Sequence, residues 1–225
     1  VNRNKRSIVL DLKQEAARAV LRRLAQGANV LLHNYRPQAA RRLGMSYEIF
    51  RAANPGLVYV GTYGFRAAGP YGDKPAYADI IQAASGLGAL QASIVGEPRY
   101  VPMAIADKFC GHILASSIGM ALFSRERTGE GQEVHVPMLD TMLSFNLMEH
   151  LWTDFVDPSG SEPGYARMFS PHRRPFATKD GYVCLLAVTN DQWRRMFGAM
   201  ERPELMDDPR FRTLSLRAEN ITALY

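Results

Sequence analysis

The chain has 225 residues, 47% of them apolar and 22% charged, with a formal net charge of +5. That length and balance describe a soluble globular protein holding one large domain, or one domain plus part of another. No apolar run is long and clean enough to span a bilayer, and the opening Val1-Asn-Arg-Asn-Lys-Arg6 is not a signal peptide; both exclude a membrane role. Cys110 and Cys184 give neither a disulfide framework nor a metal-spaced pair, which fits a reducing cytoplasm. The charge is uneven: residues 1–51 carry eleven Lys or Arg against Asp11, Glu15 and Glu48, a net +8 that leaves −3 for the rest. An anionic partner near the N-terminal part is one reading of that asymmetry, and a solvated helix face bearing Arg18, Arg22 and Arg23 is the other.

In chain order, Ser7–Leu12 reads as a short strand, and Gln14–Gln26 as an amphipathic helix with Ala17, Val20, Leu21 and Leu24 on one face, stopped by Gly27. Asn29–His33 is a buried type of strand, Pro37 opens a helix that Gly44 ends, and Ser46 caps another that runs to about Asn54. Leu57–Gly61 is a further strand. This strand–helix alternation predicts a doubly wound, Rossmann-like, mostly parallel α/β sheet. Ligands on such sheets bind beyond the carboxyl ends of the strands, here at Asn34-Tyr35-Arg36 and Thr62-Tyr63-Gly64-Phe65.

Gly64–Asp73 is a turn-rich loop and Tyr77–Leu90 a helix with small residues at 83–86. A long helix follows Asp107, and Glu133–Val136 alternates like a half-buried strand. Met138–Asp154 is again helical. Asp157–Gly164 has the composition of a linker, Tyr182–Val188 reads as a strand after the Lys179-Asp-Gly181 turn, and Gln192–Met200 as a helix. The domain expectation is a large α/β domain over 1–150, a linker over 151–166, and part of a smaller α+β domain over 167–225.

Asp107 is the residue most open to chemistry. It stands before a long stretch of small and apolar residues, where a helix N-cap belongs. A capping carboxylate and a carboxylate nucleophile in a partly dry pocket are both open on local sequence. Other centres are absent: there is no Gly-x-Ser-x-Gly, no P-loop and no His-Glu-x-x-His, the five histidines are scattered singly, and no metal is expected. Cys110 reads as core. The basic segment lacks the interleaved aromatics and motifs of nucleic-acid binders.

What remains is an ordered set: Asn34-Tyr-Arg-Pro37 with Arg41-Arg-Leu-Gly44, Gly64-Phe65 with Gly69-Pro-Tyr-Gly72, Tyr77, Asp107, and Arg125-Glu-Arg-Thr-Gly-x-Gly-Gln132. Together with the opening Asn-Arg-x-Lys-Arg-Ser and Leu10-Asp-Leu-Lys13, this order resembles the family III CoA-transferases across essentially the whole chain. The resemblance implies that fold, acyl-CoA and a carboxylic acid as substrates, and Asp107 as the nucleophile that passes through anhydride and aspartyl-CoA thioester intermediates. It implies CoA contacts from Leu10, Lys13, Asn34, Tyr35, Arg36, Arg42 and Tyr77. It also implies a cytoplasmic homodimer, interlocked when the full-length chain is present, and that this sequence lacks both terminal segments of the family. The place of a glycine loop in formyl-CoA transferase reads Val188-Thr-Asn-Asp-Gln-Trp193, which disfavours formate and oxalate. Two alternatives stay open: an α-methylacyl-CoA racemase on the same scaffold, whose His-Asp pair is matched here by Tyr77-Ala78-Asp79, and a non-catalytic CoA-binding fragment.

Overall fold

The computed structural model describes residues 2–72, 74–151 and 164–225. It falls into two compact units, Val1–Gln91 with Pro98–Asn146, and Ala92–Glu97 with Leu147–Tyr225. In the first, a three-stranded parallel sheet is built from β1 (Val30–His33), β2 (Val58–Tyr63) and β3 (Glu133–Pro137), with β2 central. The register pairs Val30 with Val58 and His33 with Gly61, then Tyr59 with Glu133 and Tyr63 with Pro137.

β2 is buried on both faces, as a central parallel strand must be. On one face Tyr59 packs with Phe50, Leu57, Met45, Ala40 and Ala25, covered by α1 (Glu15–Gln26), α2 (Pro37–Arg42) and α3 (Tyr47–Ala53). On the other, Val58 and Val60 meet Ala121 of α6 (Ile105–Thr128). Each of these fully buried valines stabilises the fold by about 1.5–3 kcal/mol. Between β2 and α6 lie α4 (Ala78–Ala84) and α5 (Leu87–Val95), and α7 (Met138–Leu147) follows β3 without a break.

Several sequence expectations are corrected. Residues 7–11 form no strand: Ile8 and Val9 are exposed, and with no ladder partner among the described residues an apolar run has nothing to make it a strand. The helix expected over 77–90 is two helices, because Gly86 takes φ +82°, a left-handed conformation that ends α4 at Ala84. On α1, Leu21 and Ala25 reach the core while Val20 and Leu24 stay more exposed. Arg18 and Arg22 both pair with Glu15, and Arg18 also donates to Leu12 O at 3.2 Å. The helix from Met138 ends at Leu147, and positions 152–154 of the expected span lie outside the described residues, as do 157–163 of the expected linker.

The second unit contains α8 (Ala166–Phe169), a hairpin of β4 (Phe176–Ala177) with β5 (Tyr182–Val183), α9 (Asn190–Ala199), a 3₁₀ turn Pro203–Met206, α10 (Leu214–Glu219) and α11 (Ile221–Leu224). The strand expected over 182–188 stops at Val183, since β4 offers only two residues to pair with. Trp193, Phe197, Phe211 and the Arg217 side chain are buried. Arg217 donates to Phe211 O at 2.6 Å and to Asn190 Oδ1, and lies over the Trp193 ring. Among the described residues no helix is long and apolar enough to cross a membrane.

Candidate active site

A cavity of about 540 Å³ opens where the strands end. Its walls come from four places: Asn34 and Arg36 after β1, Thr62, Tyr63 and Gly64 at the end of β2, Pro75 to Ala78 before and at the start of α4, and Asp107, Cys110, Gly111 and Leu114 on α6. Met138 closes it from α7. This is the position a doubly wound sheet reserves for ligands.

Local chemistry fixes each wall. Leu139 N–H donates to Gly64 O at 3.0 Å, which ties the end of β2 to the first turn of α7. The approach to α6 is held from α4: buried Gln82 accepts the Val101 N–H at 3.0 Å on Oε1. Buried Asn146 donates to both Ser85 O and Ser85 Oγ at 3.1 Å, joining α7 to the end of α4. Polar groups satisfied this way in a core specify one arrangement of the helices around the cavity.

Asp107 is not the N-cap of α6. Ala104 occupies that position, and Asp107 is the third helical residue, facing out of the first turn. Its carboxylate is exposed and accepts no hydrogen bond among the described residues. Acidic groups are stabilised in a first helical turn, where the N–H groups lack intrahelical acceptors. Asp107, Cys110, Gly111 and Leu114 follow helical spacing, so one stripe of α6 faces the cavity, and its neighbours there are small or apolar. The Cys110 thiol is pushed up to about 11 by burial, with a smaller contribution from the Asp107 charge, so it stays a neutral thiol beside the carboxylate.

Among the described residues, Arg36 is the one cationic side chain and Asp107 the one carboxylate lining this space. Tyr77 is the N-cap position of α4 and its ring is 80% exposed at the rim. The other expected contacts lie off the cavity wall. Tyr35 stacks on His33 with ring centroids 6.2 Å apart, and its N–H donates to His33 Nδ1 at 3.2 Å. Arg42 is exposed in the last turn of α2. Leu10 is half-buried and Lys13 exposed in the segment before α1, where Lys13 N–H donates to Asp11 Oδ1 at 3.1 Å. Met138 lines the cavity, whereas Phe109 and Met142 pack in the core. Pro75, Ala76, Gly111 and Leu114 also line the cavity, and no local sequence signal marks them out.

The model of CoA-transferase family III matches residues 1–225. The chain belongs to that family. It is 35% identical over 223 residues to the succinate–glutarate CoA-transferase of Agrobacterium fabrum, covering 96% of this chain and 54% of that protein. It is 31% identical over 236 residues to the probable fatty acyl-CoA transferase Rv3272 of Mycobacterium tuberculosis, covering 99% of this chain and 59% of that one. The crystal structure of Rv3272 superposes with a TM-score of 0.85 at 28% identity, over 99% of this chain and 58% of its own. A CAIB/BAIF family protein from Brucella suis gives 0.77 at 30% identity, over 99% and 59%. The chain thus spans a little over half the length of the relatives it matches.

In this family III CoA-transferase chain the segment Val188–Trp193 is the start of a helix. Thr189 accepts the Gln192 N–H and Gln192 Oε1 accepts the Thr189 N–H, a reciprocal capping box that opens α9. Among the described residues, no three His, Cys, Asp or Glu side chains converge as a metal site.

Proposed function

We infer that this chain is the CoA-binding and nucleophile-bearing part of an enzyme that moves CoA from an acyl-CoA thioester to a carboxylic acid. The observation that carries the reading is the Asp107 carboxylate, facing a cavity whose α6 wall is otherwise Cys110, Gly111 and Leu114. A carboxylate oxygen attacks the thioester carbonyl, a tetrahedral oxyanion forms, and the C–S bond breaks to give a mixed anhydride and CoA thiolate. The thiolate attacks the Asp107 carbonyl and releases the donor acid, leaving an aspartyl-CoA thioester. The acceptor carboxylate then attacks that thioester, and the thiolate returns to the new acyl group, regenerating Asp107. N–H groups in the first turn of α6 are suited to the oxyanion.

Arg36 and Asn34 at the mouth suit the anionic parts of CoA, and Tyr77 the thioester end. Arg42, Tyr35, Leu10 and Lys13 lie outside the cavity wall and suit the outer length of the same ligand. Residues 1–150 form the CoA-binding domain on this reading, with a smaller domain over 167–225. The native protein is a cytoplasmic homodimer, interlocked when the full-length chain is present.

The racemase alternative needs a second acid or base across the α-carbon. Asp79, the carboxylate it would call on, is not among the residues lining the cavity; it accepts from Gln82 at 3.5 Å instead. A chain that spans a little over half its relatives also leaves room for CoA binding without turnover. Incubation with a panel of acyl-CoAs and hydroxylamine, read by peptide mass spectrometry, separates these readings. An acyl-CoA-dependent hydroxamate on Asp107 is expected. CoA binding with an unmodified Asp107 overturns the transfer reading, and α-proton exchange in deuterated water then tells racemase from binding fragment.

A further inference from the structure

α6 carries two interior glycines, Gly111 and Gly119, in a helix where glycine is the least favoured residue after proline. Neither takes a left-handed φ. Apart from chain neighbours and the helix's own backbone, a Cβ on either would meet no atom within 4 Å. Among the described residues, then, neither backbone conformation nor packing calls for glycine at these places. Gly119 lies off the cavity wall, whereas Gly111 is part of it. Gly111 stands one turn beyond Asp107. Side chains four apart share a helix face and lean toward its N-terminus, so a side chain at 111 would lie over the turn that bears Asp107. Its absence leaves a bare stretch of backbone about 6 Å long beside the carboxylate. Cys110, Leu114 and Met138 stand around that stretch, all uncharged. Cys110 is buried and its Sγ donates to Met138 O at 3.9 Å, turned away from the bare patch. Leu114 is anchored from below by its packing with Val58, Val60 and Ala121.

We propose that Gly111 is a specificity-determining residue: the patch it leaves bare seats the first carbons of the donor's acyl group, so the missing side chain at 111 sets the bulk that reaches Asp107. The proposal rests on the transfer reading above. Attack brings the thioester carbonyl carbon within bonding distance of an Asp107 oxygen. The acyl chain starts at that same carbon, and so begins beside the next turn of α6. An acetyl group has one methyl to place and gains little from the open patch. A longer chain fills it, against Leu114 and Met138. The class of donor selected is therefore an acyl group with several uncharged carbons next to its carbonyl. A glycine inside a helix costs stability, and room for a ligand against the backbone is what that cost supplies here.

The test uses the full-length protein and two CoA thioethers that a carboxylate cannot attack, S-ethyl-CoA and S-hexyl-CoA. Their affinities are measured by calorimetry for wild type, Gly111→Ala and Gly111→Val. The ratio of the S-hexyl-CoA Kd to the S-ethyl-CoA Kd is expected to rise about ten-fold or more in Gly111→Val and by a smaller factor in Gly111→Ala, the effect that a few carbons have in an apolar pocket. In turnover, kcat/KM should fall further for butyryl-CoA than for acetyl-CoA. An unchanged Kd ratio, even with both affinities lowered, overturns the proposal. Gly111→Ala should also raise Tm, because its methyl meets nothing and alanine favours the helix. A lower Tm overturns the proposal, since another part of the protein would then occupy the patch. Should Gly111→Val not fold, the ratio for Gly111→Ala decides. A wild type that binds both thioethers but forms no hydroxamate with any acyl-CoA counts against the transfer reading alone, and the Kd ratio still decides the role of Gly111.

Discussion

Gly64 and Ala76 touch across the mouth of the loop between β2 and α4: a Cβ on Gly64 would lie 2.4 Å from the Ala76 Cβ. No side chain fits there without moving one limb of the loop, and both residues line the Asp107 cavity. Gly64→Ala is therefore expected to cost about 1–3 kcal/mol in urea unfolding and to weaken acyl-CoA binding. Unchanged stability and affinity would show that the two limbs can part freely.

Asp107→Ala should reduce acyl-CoA-dependent transfer by on the order of 10³-fold or more while leaving CoA binding largely in place. Its fold should be nearly intact, since an exposed carboxylate in a first helical turn contributes under about 1 kcal/mol. Single-turnover rates together with equilibrium CoA binding check both halves.

Arg36→Ala should raise the Kd for CoA about ten-fold, and the deficit should shrink in high salt. Arg42→Ala, exposed on α2 and off the cavity wall, should have a smaller effect. Calorimetric titrations at two ionic strengths rank them, and an Arg42 effect larger than that of Arg36 would move the phosphate contacts away from the cavity mouth.

The two cysteines should differ in reactivity. Cys110 is buried with its thiol raised to about 11, whereas Cys184 is exposed. Iodoacetamide at pH 8 should alkylate Cys184 and spare Cys110 in the folded protein, as read by peptide mass. Because the folded thiol holds its proton more tightly than an unfolded one, this contribution to stability is complete below about pH 9 and is lost as the pH rises through 11.

Arg217→Ala should destabilise the second unit by about 2–4 kcal/mol, because it strips donors from Phe211 O and Asn190 Oδ1 and packing from Trp193. Denaturant unfolding followed by fluorescence provides the measurement.

The sheet was legible because β1 and β2 are apolar runs and β3 alternates polar with apolar residues, each set off by capping and turn residues, a purely local signal. Asn34 and Arg36 were legible from their place after a strand and Asp107 from its place ahead of a long helix, whereas Tyr77 emerged only through the order of motifs along the whole chain. The hydrogen bond between Tyr63 and His135 was not legible, since alternation tells which residues of a strand share a face but not which residue 72 positions away lies opposite. Ser7–Leu12 shows the reverse failure: a strand-like composition lacks the partner that would make it a strand. Asp107 was placed three positions too early in its helix, because the small, weakly patterned residues before it hide the first turn.

At the far end of α6, eighteen residues from Asp107, Arg125 donates to Asn29 Oδ1 at 3.1 Å and to Gly56 O at 3.4 Å. That clamps the helix to the loops that begin β1 and β2, about 27 Å from the carboxylate. Asp107 therefore rides on a strut fixed at its opposite end, while Pro75, Ala76 and Tyr77 reach the cavity from a loop. On the proposed transfer reading, reaction centre and the loop's share of the selecting surface are then mechanically separable: residues 75–77 can vary while Asp107 keeps its place.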